Sequence, residues 1–475
     1  MAGYLPDPKI LELGPDFYDP VEPARFPKCE LRFANARWAE RVGLDLDEGG
    51  WARHFCRFEP LPDNLGQPLA LRYHGHQFRV YNPEIGDGRG FTYAQLRDDR
   101  DRLLDLGTKG SGQTPYSRTA DGRLTLKGGV REALATEMLE ALGVNTSKSF
   151  ALFETGEALE RGDEPSPTRS AVLTRLSHGH IRIGTFQRLA SFGDAENLAK
   201  LARYCLEYLY AEQPAKEDAE NALRLFDLVS GTTAVLAASY LAAGFVHGVL
   251  NSDNINVTGE SFDYGPWRFT PYWDPEFTAA YFDHYGLYAF GRQPEAIHWD
   301  LAQLGGCLSL FADAPTFSDL LAGWSGRFEK ALVQTLLVRL GVDPGDNRRE
   351  IASALIRALA SRAQPIDRIF FDWRGGGDPG AELYPAKEFR DLSALLGPGT
   401  RPGLHPYWSD PEPCSLHIEE VEQIWDSIAA SDDWQPFDNK VKAIRRMGEA
   451  MRAERSAGAP NERRGEVTGQ DAGAS

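Results

Sequence analysis

His247-Gly-Val-Leu-Asn-Ser-Asp-Asn-Ile-Asn-Val-Thr-Gly-Glu-Ser-Phe-Asp-Tyr-Gly-Pro266 holds the densest chemistry in the chain. An apolar helical pattern ends at Gly244, Phe245-Val246 leads out of it, and the following loop carries Asp253 and Asn254. A short β-like run comes next, and Asp263 stands ten residues after Asp253 in the triplet Asp-Tyr-Gly. Moving a phosphate-linked group requires hard oxygen ligands for Mg²⁺ and a nearby carboxylate that orients the nucleophile. Asp253, Asn254 and Asp263 are residues of those types.

This layout resembles the catalytic and metal-binding loops of protein kinases. There a loop Asp takes the hydroxyl proton, and a loop Asn and the Asp of Asp-Phe-Gly bind metal. His-Gly-Val stands here where kinases carry His-Arg-Asp.

Upstream, the pattern is strand-like from Leu69, through Ile85-Gly86-Asp87-Gly88-Arg89-Gly90 to Phe91–Leu96. Charged Arg97–Arg102 reads as a hairpin turn before a strand over Leu103–Lys109. Glycines between strands let a backbone approach a phosphate, although a plain tight turn explains the same residues. Lys109, followed by Gly110-Ser111-Gly112, adds a phosphate-contact candidate. Val130, Leu134, Met138 and Leu142 recur every four residues and predict a helix closed by Gly143. Glu132 on that helix is the first candidate to pair with Lys109, and Glu137 the second. The strands expected at Phe150–Glu154 and Ala171–Arg175 precede Arg175 and Arg182, which suit either surface ion pairs or a phosphate clamp. His178 and His180 lack a third ligand at useful spacing, so a metal site there is not expected.

The rest reads as helical: Asn197 to Glu212, Glu220 to Ala243, Trp299 to Leu310, Phe317 to Leu340, Asn347 to Arg362, Ile418 to Ala429 and Lys440 to Arg455. A further helical patch is expected at Leu31 to Val42, in an otherwise Pro- and aromatic-rich N-terminal region. The boundaries expected are an extension packed on the body over 1–66, a nucleotide-binding region over 67–190, a helical region with the catalytic and metal loops over 191–455, and a disordered tail over 456–475.

The net charge of −18 argues against a nucleic-acid-binding surface or an anionic membrane as partner. Cys29, Cys56, Cys205, Cys307 and Cys414 are odd in number and scattered, and are expected to be reduced thiols of a cytoplasmic protein. No signal pattern and no uninterrupted apolar run of bilayer length is read from the sequence.

Taken in order, Gly86-Asp87-Gly88-Arg89, Lys109-Gly110-Ser111-Gly112-Gln113-Thr114-Pro115-Tyr116-Ser117-Arg118, Asp121-Gly122-Arg123, Arg131-Glu132, Arg175 with Arg182, His247-Gly248, Asn251-Ser252-Asp253-Asn254 and Asp263-Tyr264-Gly265-Pro266 resemble the selenoprotein O (SelO) family. The resemblance is read over roughly residues 20 to 310. It implies an α+β, protein-kinase-like two-lobed fold: a mixed β-sheet plus helix N-lobe and a mainly helical C-lobe, with N- and C-terminal extensions. It also implies ATP bound end for end relative to kinases. AMP then passes to Ser, Thr or Tyr hydroxyls of proteins and pyrophosphate is released. Mg²⁺ is the implied metal, with Mn²⁺ as an alternative. By the same resemblance Asp253 is the catalytic base, and Asn254 and Asp263 bind the metal. Gly86, Gly88, Arg89, Lys109, Asp121, Gly122, Arg175, Arg182 and Asp263 contact the nucleotide, and Glu132 supports Lys109. Members of the family commonly carry a cysteine close to the C-terminus, whereas the last cysteine here is Cys414. The rival readings are a conventional phosphotransferase and an inactive nucleotide-binding scaffold. The absent His-Arg-Asp and the paired arginines weigh against the first. Joint retention of Lys109, Glu132, Asp253, Asn254 and Asp263 weighs against the second.

Overall fold

The computed structural model describes residues 3–162, 164–343, 345–396 and 405–458. The tail expected to be disordered lies outside the described residues from 459 onward. Strands gather in the first part of the chain and helices in the remainder, the mixed α+β arrangement expected. The strands are β1 (Tyr18–Pro20), β2 (Glu30–Ala34), β3 (Leu69–Leu71), β4 (Gly75–Gln77), β5 (Val80–Asn82), β6 (Thr92–Arg97), β7 (Leu103–Lys109), β8 (Leu124–Thr125), β9 (Lys148–Leu159), β10 (Thr168–Ser177), β11 (Phe245–Val246) and β12 (Arg268–Phe269). The main sheet runs β1-β3-β6-β7-β10-β9-β2, with β8 paired to β10. Its pairings are antiparallel, and β4–β5 and β11–β12 are separate small hairpin-like pairs.

The helices used below are α1 (Ala36–Arg41), α2 (Glu48–Phe55), α3 (Leu126–Leu142), α4 (Ile183–Ser191), α5 (Ala195–Tyr204), α6 (Asp218–Ala243), α7 (Gln293–Leu308), α8 (Ala314–Ala322), α9 (Trp324–Leu340), α10 (Arg348–Ala360), α11 (Ile366–Asp372), α12 (Lys387–Leu396), α13 (Ile418–Ser431) and α14 (Gln435–Gly458). Thr125 caps α3 by accepting from Gly128 N. The Val130–Leu142 stripe is buried, and so are Glu132 and Glu137, because α3 is covered on one side by the sheet and on the other by α14.

Three expectations are corrected. Residues 31–34 of the helical patch at Leu31 to Val42 belong to β2, paired with β9, and the helix begins only at Ala36. The single helix expected over Phe317 to Leu340 is two, α8 and α9, parted at Gly323. Cys29 and Cys56 are not free thiols but form a disulfide, because β2's approach and the end of α2 bring them together. Cys205, Cys307 and Cys414 are free. Helix α6 is long and apolar enough to cross a membrane by length and composition. It is the core helix instead, with 72% of its apolar window buried.

Both edges of the sheet come from the first 66 residues, since β1 pairs with β3 and β2 with β9. The C-terminal helices are tied to the same body by charge. Glu137 on α3 accepts from Arg445 Nε at 2.7 Å and Nη2 at 2.8 Å, from Arg37 Nη2 at 3.2 Å and from Asn35 Nδ2 at 3.3 Å. Its side chain is 2% exposed, so removing it leaves the Arg445 guanidinium without its ion pair, while Arg37 keeps Glu140 at 2.9 Å. Glu137→Ala is expected to cost about 2 kcal/mol of stability. A lower thermal midpoint with intact secondary structure checks this.

Candidate active site

The loop after β11 is held by side chains from four directions. His247 N donates to Gln293 Oε1 at 3.0 Å, and Gln293 Nε2 donates to Phe245 O at 2.8 Å, so α7 fixes where the loop begins. Buried His247 sits with Nε2 3.0 Å from Phe262 O, and burial lowers its pKa. Asn251 Oδ1 accepts from Tyr288 OH at 2.6 Å and from Phe78 N at 3.0 Å. Ser252 Oγ accepts from His76 N at 2.7 Å and donates to Gln187 Oε1 at 2.5 Å. Arg182 Nη1 donates to the Asp253 carbonyl at 3.2 Å. Asp253 therefore sits in a short turn, Ser252–Asn254, anchored from both sides.

A cavity of about 350 Å³ opens beside this turn. Its walls include Gly86, Gly88, Arg89, Lys109, Arg175, Arg182, Asp253 and Asp263, brought together from four separate stretches of sequence. Gly86 is required by close approach: a Cβ there would lie 2.5 Å from the Tyr116 ring. Asp121 and Gly122 are not among the lining residues, although Arg118 and Ala120 of the same loop are. Asp121 instead binds Arg161 Nη1 at 2.9 Å and Nη2 at 3.1 Å on the surface.

Charge is arranged around Asp263. Lys109 Nζ lies 2.7 Å from Glu132 Oε2 and 3.3 Å from Asp263 Oδ1, and donates to Tyr264 O at 3.0 Å. Arg175 Nη1 reaches Asp263 Oδ1 at 3.3 Å and Glu132 Oε1 at 3.6 Å. Arg182, 1% exposed, lies 3.5 Å from Asp87 and 3.9 Å from Asp263, with its guanidinium 4.1 Å from the Tyr73 ring centroid and 4.9 Å from that of Phe262. Burial raises the Asp263 pKa, but Lys109, Arg175, Arg182 and Arg89 outweigh it and hold the carboxyl well below the usual range. Asp253 behaves oppositely. Burial pushes it up to about 6, and Arg182 offsets only part of that. Its Oδ1 is buried without a hydrogen-bond partner. Two carboxylates in one cavity are thus driven apart in proton affinity, the pattern of a base beside a permanent anion.

Asn254 Nδ2 donates to Val249 O at 3.0 Å, and no hydrogen bond among the described residues takes up its Oδ1. Asp263 lines the cavity and Asn254, next in sequence to cavity-lining Asp253, does not; both offer hard oxygens. A Mg²⁺ ion shared with substrate phosphates fits such a set, because that ion keeps few protein ligands. Among the described residues no group of three or more His, Cys, Asp or Glu side chains is placed to hold a metal. Buried His180 has Nδ1 3.1 Å from Asp105 Oδ2, whereas at His178 it is the backbone N that donates to Glu260 Oε2, at 2.7 Å.

Sequence reading passed over Tyr73, Gln77 and Asp87 as site residues. Asp87 lay inside the quoted glycine motif, and Leu71 N donates to its Oδ2 at 3.0 Å. Tyr73 and Gln77 carried no signal beyond a strand-like pattern, since stacking on an arginine is a tertiary contact.

A family profile described as Protein adenylyltransferase SelO matches residues 4–374. The chain belongs to the SelO family. It is 43% identical over 472 residues to the Protein nucleotidyltransferase YdiU of Gloeobacter violaceus, covering 93% of this chain and 95% of that protein. Against the protein of the same name from Synechocystis sp. it is 38% identical, covering 92% and 97%. Against that from Cereibacter sphaeroides it is 33% identical, with 90% of each covered. The SelO likeness therefore runs well past residue 310, where the sequence reading ended it, and takes in the C-terminal helices.

Buried Arg182 touches the Asp253 loop, Asp87 and Asp263 at once. Arg182→Met is expected to cost about 3 kcal/mol, because it leaves buried carboxylates uncompensated. Adding Asp87→Asn should recover part of the loss in a double-mutant cycle read by thermal melting.

Proposed function

We propose that this chain transfers AMP from ATP to Ser, Thr or Tyr hydroxyls of proteins and releases pyrophosphate. The observation that carries the reading is the unpartnered, proton-seeking Asp253 Oδ1 in one cavity with Asp263 and a cluster of cations. SelO family membership selects adenylyl over phosphoryl transfer. In this reading the sheet-rich first part and the helical remainder act as two lobes around the nucleotide.

Arg89, Lys109, Arg175 and Arg182 bind the triphosphate. Gly86 and Gly88 let its phosphates approach the backbone, and the loop at Asp121-Gly122 closes on the nucleotide. Glu132 keeps Lys109 extended into the cavity. Asn254 and Asp263 hold Mg²⁺, or Mn²⁺ in its place, together with phosphate oxygens; when bound, the ion offsets the charge that builds up on the leaving pyrophosphate. Asp253 accepts the proton of the acceptor hydroxyl as its oxygen bonds to the α-phosphorus. The bond from that phosphorus to the bridging oxygen breaks, and pyrophosphate departs with the electron pair. Catalysis is positioning and charge stabilisation, with little covalent work for the protein.

The test is paired incubation with ATP labelled at the α- or the γ-phosphate, with intact mass of the acceptor protein. Label from the α-position with an added AMP is expected; label from the γ-position would make the protein a kinase and end this reading. Asp253→Asn should bind ATP normally but lose about 10²- to 10⁴-fold in transfer rate, the range for a general base. Chelation of divalent cations should abolish transfer by the native protein, with activity returning on addition of Mg²⁺.

A further inference from the structure

The short hairpin β4–β5 is hydrogen-bonded to no strand of the main sheet and lies over the catalytic loop instead. Its backbone is fastened there at two points, His76 N to Ser252 Oγ and Phe78 N to Asn251 Oδ1. Between them stands Gln77, whose side chain lines the cavity and interacts with the Asp253 carboxylate. Its orientation is set: Asn82 Nδ2 donates to Gln77 Oε1 at 3.0 Å, so the Gln77 amide nitrogen is the end left for a carboxylate. Gly75 abuts the same aspartate, where a Cβ would lie 2.9 Å from Asp253 Cβ and 3.0 Å from its Oδ1. At the tip, Phe78 (φ 50°) and Arg79 (φ 63°) occupy the left-handed region, which turns of this kind normally fill with Asn and Gly. The Phe78 ring repays that conformation by packing 5.1 Å from Tyr288 and 5.9 Å from Phe282.

We infer that Gln77 is a positioning residue for AMP transfer, its amide N–H orienting the Asp253 carboxylate while Asn82 holds that amide in the productive flip. The inference rests on the reading of Asp253 as the base. Among the described residues no hydrogen bond joins Gln77 to Asn254 or Asp263, so its loss is expected to act through Asp253.

The experiment compares full-length wild type, Gln77→Leu, Gln77→Glu and Asn82→Ala for kcat, KM for ATP, ATP affinity by equilibrium binding, and Tm. Gln77→Leu should lower kcat about 10- to 100-fold with ATP affinity and KM unchanged, the scale of a misplaced catalytic group. Gln77→Glu, which sets a like charge against the base, should fall further. Asn82→Ala should lose less, in the same direction, and it carries the test if Gln77→Leu does not fold. In an Asp253→Asn background, Gln77→Leu should add no further loss, because its effect passes through Asp253. Wild-type kcat in both Gln77→Leu and Asn82→Ala, a loss that follows ATP affinity or Tm, or a full additive loss on top of Asp253→Asn would overturn the inference while leaving AMP transfer standing. Absence of AMP transfer by wild type would instead remove the reading it rests on.

Discussion

One carboxylate, Asp263, is the counter-charge for cations that arrive from the end of β7, the middle of β10 and the start of α4. Without it Lys109 and Arg175 would keep only Glu132, and Arg182 only Asp87, as paired carboxylates. With it the three cations are held around one point in the cavity. Asp263 itself has φ 61°, a conformation a non-glycine residue adopts only when its surroundings insist. The sheet, α3 and the loop after β11 are all aligned by the need to bring these charges to one point. Glu132 completes the arrangement from the α3 side and leaves Lys109 a single direction in which to extend.

Local chemistry made much of this legible in the sequence. β7 ends at Lys109 as the charged turn before it and the Gly-Ser-Gly punctuation after it predict, and the hairpin turn at residues 98–102 falls where the charges lie. Asp253, Asp263, Lys109, Arg175 and Arg182 stood out because each is an ionisable residue at an element boundary with a partner at meaningful spacing. What stayed hidden depends on contacts across long sequence distances. Glu30–Ala34 has the composition of a helix start and becomes a strand only because β9 offers it an edge. The Cys29–Cys56 bond cannot be read from a scattered, odd set of cysteines, since pairing is a matter of which chain segments meet. Asp121 was chosen for its place in a motif, but its carboxylate is taken by Arg161 from the β9–β10 connection.

Two different electrostatic solutions coexist within a few residues of each other. Around Asp263, charges are paired in excess, so ionisation is secured. Around Asp253, burial is left largely uncompensated, so the carboxylate is primed to take a proton. Burial alone would raise both. It is the position of three arginines and one lysine that separates a structural anion from a reactive one. Asp300 on α7, also deeply buried and raised by burial and by Asp253, sits on the base side of this divide.

The bond between Glu137 and Arg445 spans 308 residues of sequence. On a ribosome adding about 5–20 residues per second, the two partners emerge roughly 15–60 s apart. For that interval the outer face of α3, with a buried-type carboxylate and its apolar neighbours, has no α14 to cover it. The sheet and α3 must therefore wait, with that face exposed, for the last helices to be made. Holding factors that shield such a surface during synthesis have a natural target there, and the order of translation becomes part of how this fold is reached.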